Sequence, residues 1–204
     1  MVQHRFVMGT GLVVALLMGG CVQTALLPSG QLDGGETVVS ANLDEPGFLY
    51  IPRLNLQVTQ GLGGGDLTGN VAGTLGMVGG GLAGRYYLTD AVNVEGQVQV
   101  QSVCLSEETR QATVLLGGQQ TTRPDDHLYL GGHAGGLYGE ELLAVQNKRH
   151  AYPLVGGTIG VGHIDLGGAW RMQMELESSV PVTTGEWELV PPARVSIGVF
   201  RHWE

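Results

Sequence analysis

Apolar and polar residues alternate along most of the chain. Val92, Val94, Gly96, Val98 and Val100 point one way; Asn93, Glu95, Gln97, Gln99 and Gln101 point the other. A helix would scatter that series around its circumference, whereas successive side chains of a strand face opposite sides. The same register recurs in four further segments. Trp170, Met172, Met174 and Leu176 oppose Arg171, Gln173, Glu175 and Glu177. Tyr50, Pro52, Leu54, Leu56 and Val58 oppose Ile51, Arg53, Asn55, Gln57 and Thr59. Leu67, Gly69, Val71, Gly73 and Leu75 oppose Asp66, Thr68, Asn70, Ala72 and Thr74. Val195, Ile197 and Val199 oppose Arg194, Ser196 and Gly198.

The pattern predicts strands at 36–43, 49–60, 66–76, 79–89, 91–102, 112–119, 127–138, 151–165, 168–178 and 193–203. The expected fold is all-β: an antiparallel up-and-down barrel of about 8–10 strands, with a lumen just wide enough to be filled by side chains. Asp90-Ala91 and Leu166-Gly167 are tight links, while 103–111, 139–150 and 179–192 are long. With ten strands, the tight links fall at the end that holds the termini and the three long ones at the opposite end. Outer-membrane barrels share that asymmetry.

Alternation by itself does not say which face is wet. A membrane barrel turns its apolar side outward; a soluble barrel or sandwich turns it inward. Three features favour the first arrangement. The polar face is rich in Gln, Asn, Thr and Gly and nearly devoid of lysine, the usual guard of water-facing sheets. Tyr86, Tyr87, Tyr138, Tyr152, Trp170 and Trp203, with Phe48 and Tyr50, gather near strand ends, as interfacial girdles do. Arg53, Arg85 and Arg171 share the polar face with Glu95, Glu175 and Glu177, so charges can pair inside. Pro52 and Pro153 argue the other way, since a closed sheet has no edge to hold proline. His163 would meet lipid if Ile159 and Val161 do.

The amino terminus has a different character. His4 and Arg5 precede Phe6–Met18, a run of apolar and small residues. A bilayer span needs about 20 residues, so this run is too short for one and fits a secretory h-region instead. Gly19, Gly20 and then Cys21 follow. Residues 1–21 resemble the signal and lipobox of bacterial lipoproteins, with Met18 where that family prefers leucine. The resemblance implies cleavage before Cys21, its acylation, and stable anchoring by two or three acyl chains. It divides the chain into a signal peptide (1–20), an acylated terminus and tether (21–34) and a barrel domain (35–204). Val22 and Gln23, with no aspartate beside the cysteine, imply by the same resemblance sorting to the outer membrane of a Gram-negative-type envelope. Residues 79–89 resemble the glycine-then-tyrosine strands of small outer-membrane barrels. Residues 193–203 resemble their terminal strand, which closes on an aromatic after alternating apolar residues. Arg201 interrupts that series and Glu204 follows Trp203.

Composition narrows the function. Glycine supplies 35 of 204 residues without a three-residue period, which excludes collagen. The net charge is −9, with Lys148 the single lysine, so no nucleic-acid surface is expected. The runs Gly63–Gly65 and Gly79–Gly81 precede neither a helix nor a Gly-Lys-Ser/Thr and read as turns and close strand packing, not phosphate loops. His127 and His133, near Asp125 and Asp126, stand about 20 Å apart along a strand, too far to share a metal. Ser196 and His202 are likewise six residues apart, with no G-x-S-x-G. Glu175 and Glu177 read as parts of an interior hydrogen-bonded network. Gly168-Ala169-Trp170 has the spacing of a lipocalin motif on too late a strand. With Cys21 acylated, Cys104 has no disulfide partner and reads as a small hydrophobe.

The expectation is therefore an outer-membrane lipoprotein with a structural or surface-interaction role. It has Cys21 as its lipidation site, no catalytic or metal site and no cofactor. The bilayer is its partner, and envelope proteins or surface ligands meet its long loops. A lumen packed with Gln, Glu and Arg is expected to be too full for a general pore. The alternative is a lipid-tethered periplasmic barrel or sandwich that carries an apolar ligand or supports envelope assembly.

Overall fold

The computed structural model describes residues 26–28, 30–46, 52–74, 77–103, 110–121, 128–140, 149–182 and 194–203. The strands are β1 (Thr37–Pro46), β2 (Arg53–Gly61), β3 (Gly65–Thr74), β4 (Met77–Thr89), β5 (Val92–Val103), β6 (Arg110–Thr121), β7 (Leu128–Glu140), β8 (Arg149–Gly167), β9 (Trp170–Pro181) and β10 (Arg194–Trp203). Each pairs antiparallel with its neighbours in sequence, and β1 pairs with β10, so the sheet closes on itself. The expected up-and-down barrel is the observed one, with ten strands, the upper end of the expected 8–10. Closure aligns Thr37 with Trp203 and Pro46 with Arg194. We call the end holding Thr37 and Trp203 the terminal mouth and the opposite end the far mouth.

The apolar face is outside. Leu54, Leu56 and Val58 are about half exposed, while Arg53, Asn55, Gln57 and Thr59 between them are buried. Val98 and Val100 face outward, Gln97 and Gln99 inward. Met174 and Leu176 face outward, Gln173, Glu175 and Glu177 inward. The lumen is thus lined by amides, hydroxyls and charges.

Two irregular places correct the simple register. Between Val161 and Ile164, β8 carries a bulge, and His163 adopts φ 55°. A bulge inserts one residue and re-aims its side chain. The His163 ring lies inside, 6.3 Å from the His202 ring and against Gly30, so it does not face lipid. Pro153 sits within β8, paired with Gly136 of β7, but β9 reaches only Leu154. The Pro153 carbonyl accepts from the Val182 amide at 2.8 Å, so its missing N–H falls at the frayed end of that ladder and closure survives. Pro52 lies just outside β2. Gly167 and Gly168, at φ 104° and 61°, make the tight β8–β9 turn that a side chain would strain.

Candidate functional site

The lumen gathers the chemistry-bearing side chains, and its axis is occupied by the chain's own amino-terminal segment. Residues assigned from sequence to a tether enter the barrel: Leu26, Leu27 and Leu32 are essentially inaccessible to solvent. The segment is fastened at the terminal mouth. The Glu36 amide donates to the Asp33 carbonyl at 3.1 Å, the Gly35 amide to Gly61 at 3.0 Å, and the Gly61 amide to Glu36 at 2.8 Å. The Glu36 carboxylate also contacts His202 Nδ1 at 2.5 Å.

From there the segment climbs β4. The Gly30 carbonyl meets the Tyr87 hydroxyl at 3.0 Å, the Pro28 carbonyl accepts from Arg85 at 2.5 Å, and Leu27 packs on Ala83. Gln173 on β9 donates to the Leu27 carbonyl at 2.9 Å, and Gln57 on β2 donates to that of Leu26. Strands β4 and β9 stand five places apart in the ring of ten, on opposite walls. The segment is therefore a plug spanning the lumen. Its carbonyls, which would be costly to bury unpaired, are satisfied by wall side chains. Leu26, Leu32, Val38 and Phe200 form a small apolar cluster inside. A Cβ on Gly198 would come within 2.9 Å of Leu26, so the glycine makes room for the plug.

Ion pairs follow the wall and do not cross the axis. Near the plug, Arg85 grips the Asp66 carboxylate through Nε at 3.1–3.2 Å and through its terminal nitrogen at 2.6 Å, with Tyr87 completing the cluster. Toward the far mouth, Arg53 pairs with Asp44 at 2.9 Å, and Arg194 reaches Glu177 at 2.6 Å and Glu175 at 3.4 Å. Tyr129 donates to Glu175 at 2.8 Å and receives Gln173 at 2.7 Å. Buried carboxylates and guanidinium groups held in this way offset the cost of their desolvation. Glu175 and Glu177 are thus members of an interior network, as the sequence suggested. Arg171 instead stays at the terminal rim, paired with exposed Asp165 at 3.2 Å.

Sequence-derived candidates separate in space. Ser196 is buried toward the far mouth, whereas His202 sits at the terminal rim against Glu36. A contact the sequence did not signal is His133 Nε2 with Ser179 Oγ at 2.7 Å, with Glu177 3.6 Å from the same nitrogen. A hydrolytic triad places serine and carboxylate on different ring nitrogens, and here both meet one. Because β7 and β9 are separated by β8 in the ring, no local motif could have revealed it. Among the described residues, no group of three or more His, Cys, Asp or Glu is placed to hold a metal. Cys21, Cys104, Asp125, Asp126 and His127 lie outside the described residues.

No protein-family model matches the sequence, and no curated protein matches it. Among solved structures, the chain is similar to KdgM porin, at 12% identity over 82% of this chain and 99% of that one, with a TM-score of 0.45. It is also similar to the amino-terminal barrel domain of Pseudomonas aeruginosa OprF, at 13% identity over 86% and 100% with a TM-score of 0.42. A third similar structure is OmpT of Vibrio cholerae, at 11% identity over 93% and 73% with a TM-score of 0.40.

Proposed function

We propose that this chain is a membrane-spanning barrel of the outer-membrane type, anchored in addition by acylation of Cys21. It serves a structural or surface-interaction role through the links at its far mouth and performs no catalysis. The observation that carries this reading is the sidedness of the wall. Valine, leucine, isoleucine and methionine cover the outside, while charged and amide side chains are buried. In water that arrangement leaves a continuous apolar belt exposed, far beyond the few hundred Å² typical of soluble monomers. In a bilayer it satisfies every demand at once, because a closed sheet leaves no backbone group unpaired. The alternative, a carrier of apolar ligands, is disfavoured by the lumen, whose described apolar cluster is already filled by Leu26 and Leu32.

The test uses the full chain with Cys21→Ser. The barrel should resist alkaline carbonate extraction and migrate differently on gels before and after heating, while labelled fatty acid is incorporated only when Cys21 is present. Ready extraction by carbonate would sink the membrane-spanning reading. Equal labelling of both proteins would remove Cys21 as the lipid site.

A further inference from the structure

Two features of the lumen stand outside that role: a plug on the axis, and wall side chains that the plug leaves unsatisfied. From them we propose that the barrel is a pore for small cations and small neutral polar solutes, closed in cis by the amino-terminal segment that carries Leu26, Leu27, Pro28, Gly30 and Leu32. The proposal rests on the membrane-spanning reading and goes beyond it.

The first support is the way the plug is held. Four of its groups are main-chain carbonyls, at Leu26, Leu27, Pro28 and Gly30, and their partners are side chains of β2, β9 and β4. No described residue of the plug takes a place in the sheet, which closes through β1 and β10 without it. Its withdrawal therefore costs hydrogen bonds that water can replace and a few buried leucines, but no strand. The inward arginines already have carboxylate partners along the wall. Arg85 keeps Asp66, Arg53 keeps Asp44, and Arg194 keeps Glu175 and Glu177. The charges that were expected to fill the lumen are drawn against its side, and what occupies the axis is the plug.

The second support comes from the wall. Ser40 Oγ, both amide atoms of Asn42 and of Gln99, Asn55 Nδ2 and Ser196 Oγ are buried with no partner among the described residues. In the closed lumen they are sealed from water as well, a cost that water entering on withdrawal of the plug would relieve. These side chains stand on three neighbouring strands, β10, β1 and β2, and on β5, at the level of Leu26 and toward the far mouth. With the plug withdrawn they would line a passage whose amides and hydroxyls suit neutral polar solutes. Once water enters, inward-facing Asp44, Asp66, Glu95, Glu175 and Glu177 outnumber Arg53, Arg85 and Arg194, so the open passage attracts cations.

Planar-bilayer recording in potassium chloride tests this. The full chain is expected to be almost silent. Deletion of residues 26–32 is expected to produce discrete openings, with a reversal potential in a salt gradient displaced toward that of potassium. A milder pair, Gln57→Ala with Tyr87→Phe, keeps the plug but removes two of its carbonyl partners and is expected to give intermittent openings. Joining plug to wall with Leu27→Cys and Ala83→Cys, in a Cys21→Ser and Cys104→Ser background that also carries the milder pair, should abolish those openings until a reductant is added. A deletion protein that shows heat-modifiable migration yet never opens would overturn the proposal. Should the deletion protein fail to fold, silence of the milder pair overturns it instead. Failure of the membrane reading is seen separately, in extraction of the full chain by carbonate. Openings that prefer chloride would retain the gate and overturn the assigned solute charge.

Discussion

Arg201 occupies an outward position of β10 where the alternation calls for an apolar side chain. Its guanidinium carbon lies 5.4 Å from the Trp170 ring and 4.8 Å from the Trp203 ring. Both rings stand at the terminal mouth; in the proposed membrane-spanning arrangement that is the level at which aromatic belts meet headgroups, and an arginine there can bury its stem and keep its charge wet. The interruption of the terminal strand thus has a physical reason that the neighbours on β9 and β10 supply together. Arg201→Glu sets an anion against two electron-rich ring faces, and equilibrium urea unfolding in detergent should show a loss of about 1–2 kcal/mol, with Arg201→Lys retaining most of the stability. The Asp66–Arg85 pair is buried completely, with neither side chain exposed. Asp66→Asn strands the guanidinium and should cost about 3–5 kcal/mol in the same measurement, while Asp66→Leu with Arg85→Met should recover much of that loss. Equal stability of the single and double variants would show that the pair is not desolvated.

At the scale of the strand, β8 departs furthest from its expected form. It runs from Arg149 to Gly167, two residues longer at each end than the alternation suggested, and carries the bulge that brings His163 inside. The apolar positions change parity there, from Ile159 and Val161 to Ile164 and Leu166, and the pairing of Val161 with Met174 and Ile164 with Met172 fixes the inserted residue. Farther along, Gly160 lies beneath Tyr129. A Cβ at 160 would collide with the tyrosine ring and hydroxyl. Gly160→Ala should therefore displace Tyr129 from Glu175 and Gln173 and lower stability by about 1–3 kcal/mol. Adding Tyr129→Ala should make the second loss smaller than it is alone, because the two sites share one contact. Strict additivity of the two changes would reject the packing described here.

At the scale of the whole molecule, the outward valines and methionines decide what surrounds the barrel. Spin labels at Val98→Cys and Met174→Cys, in a Cys104→Ser background, should be relaxed strongly by oxygen and weakly by a water-soluble nickel complex. A label at Gln97→Cys should show the reverse bias. Strong nickel relaxation at 98 and 174 would place that face in water. Strand number, strand type and the two sets of faces were legible in the sequence, because side-chain direction in a strand depends only on residue parity. Which set faces inward was not, since exchanging inside and outside leaves the alternation unchanged; closure of β1 on β10 and the burial of Asn55, Gln57 and Gln99 settle it. The plug was illegible for a related reason. Residues 26–34 have neither period, and their partners Gln57, Arg85, Tyr87 and Gln173 are between 31 and 146 residues away for the bonds to Leu26, Pro28, Gly30 and Leu27. Local pattern determined the strands of this protein and the composition of their faces. Only the closed ring, by setting β4 and β9 across one lumen, decided that an amino-terminal segment with no pattern of its own would be held between them.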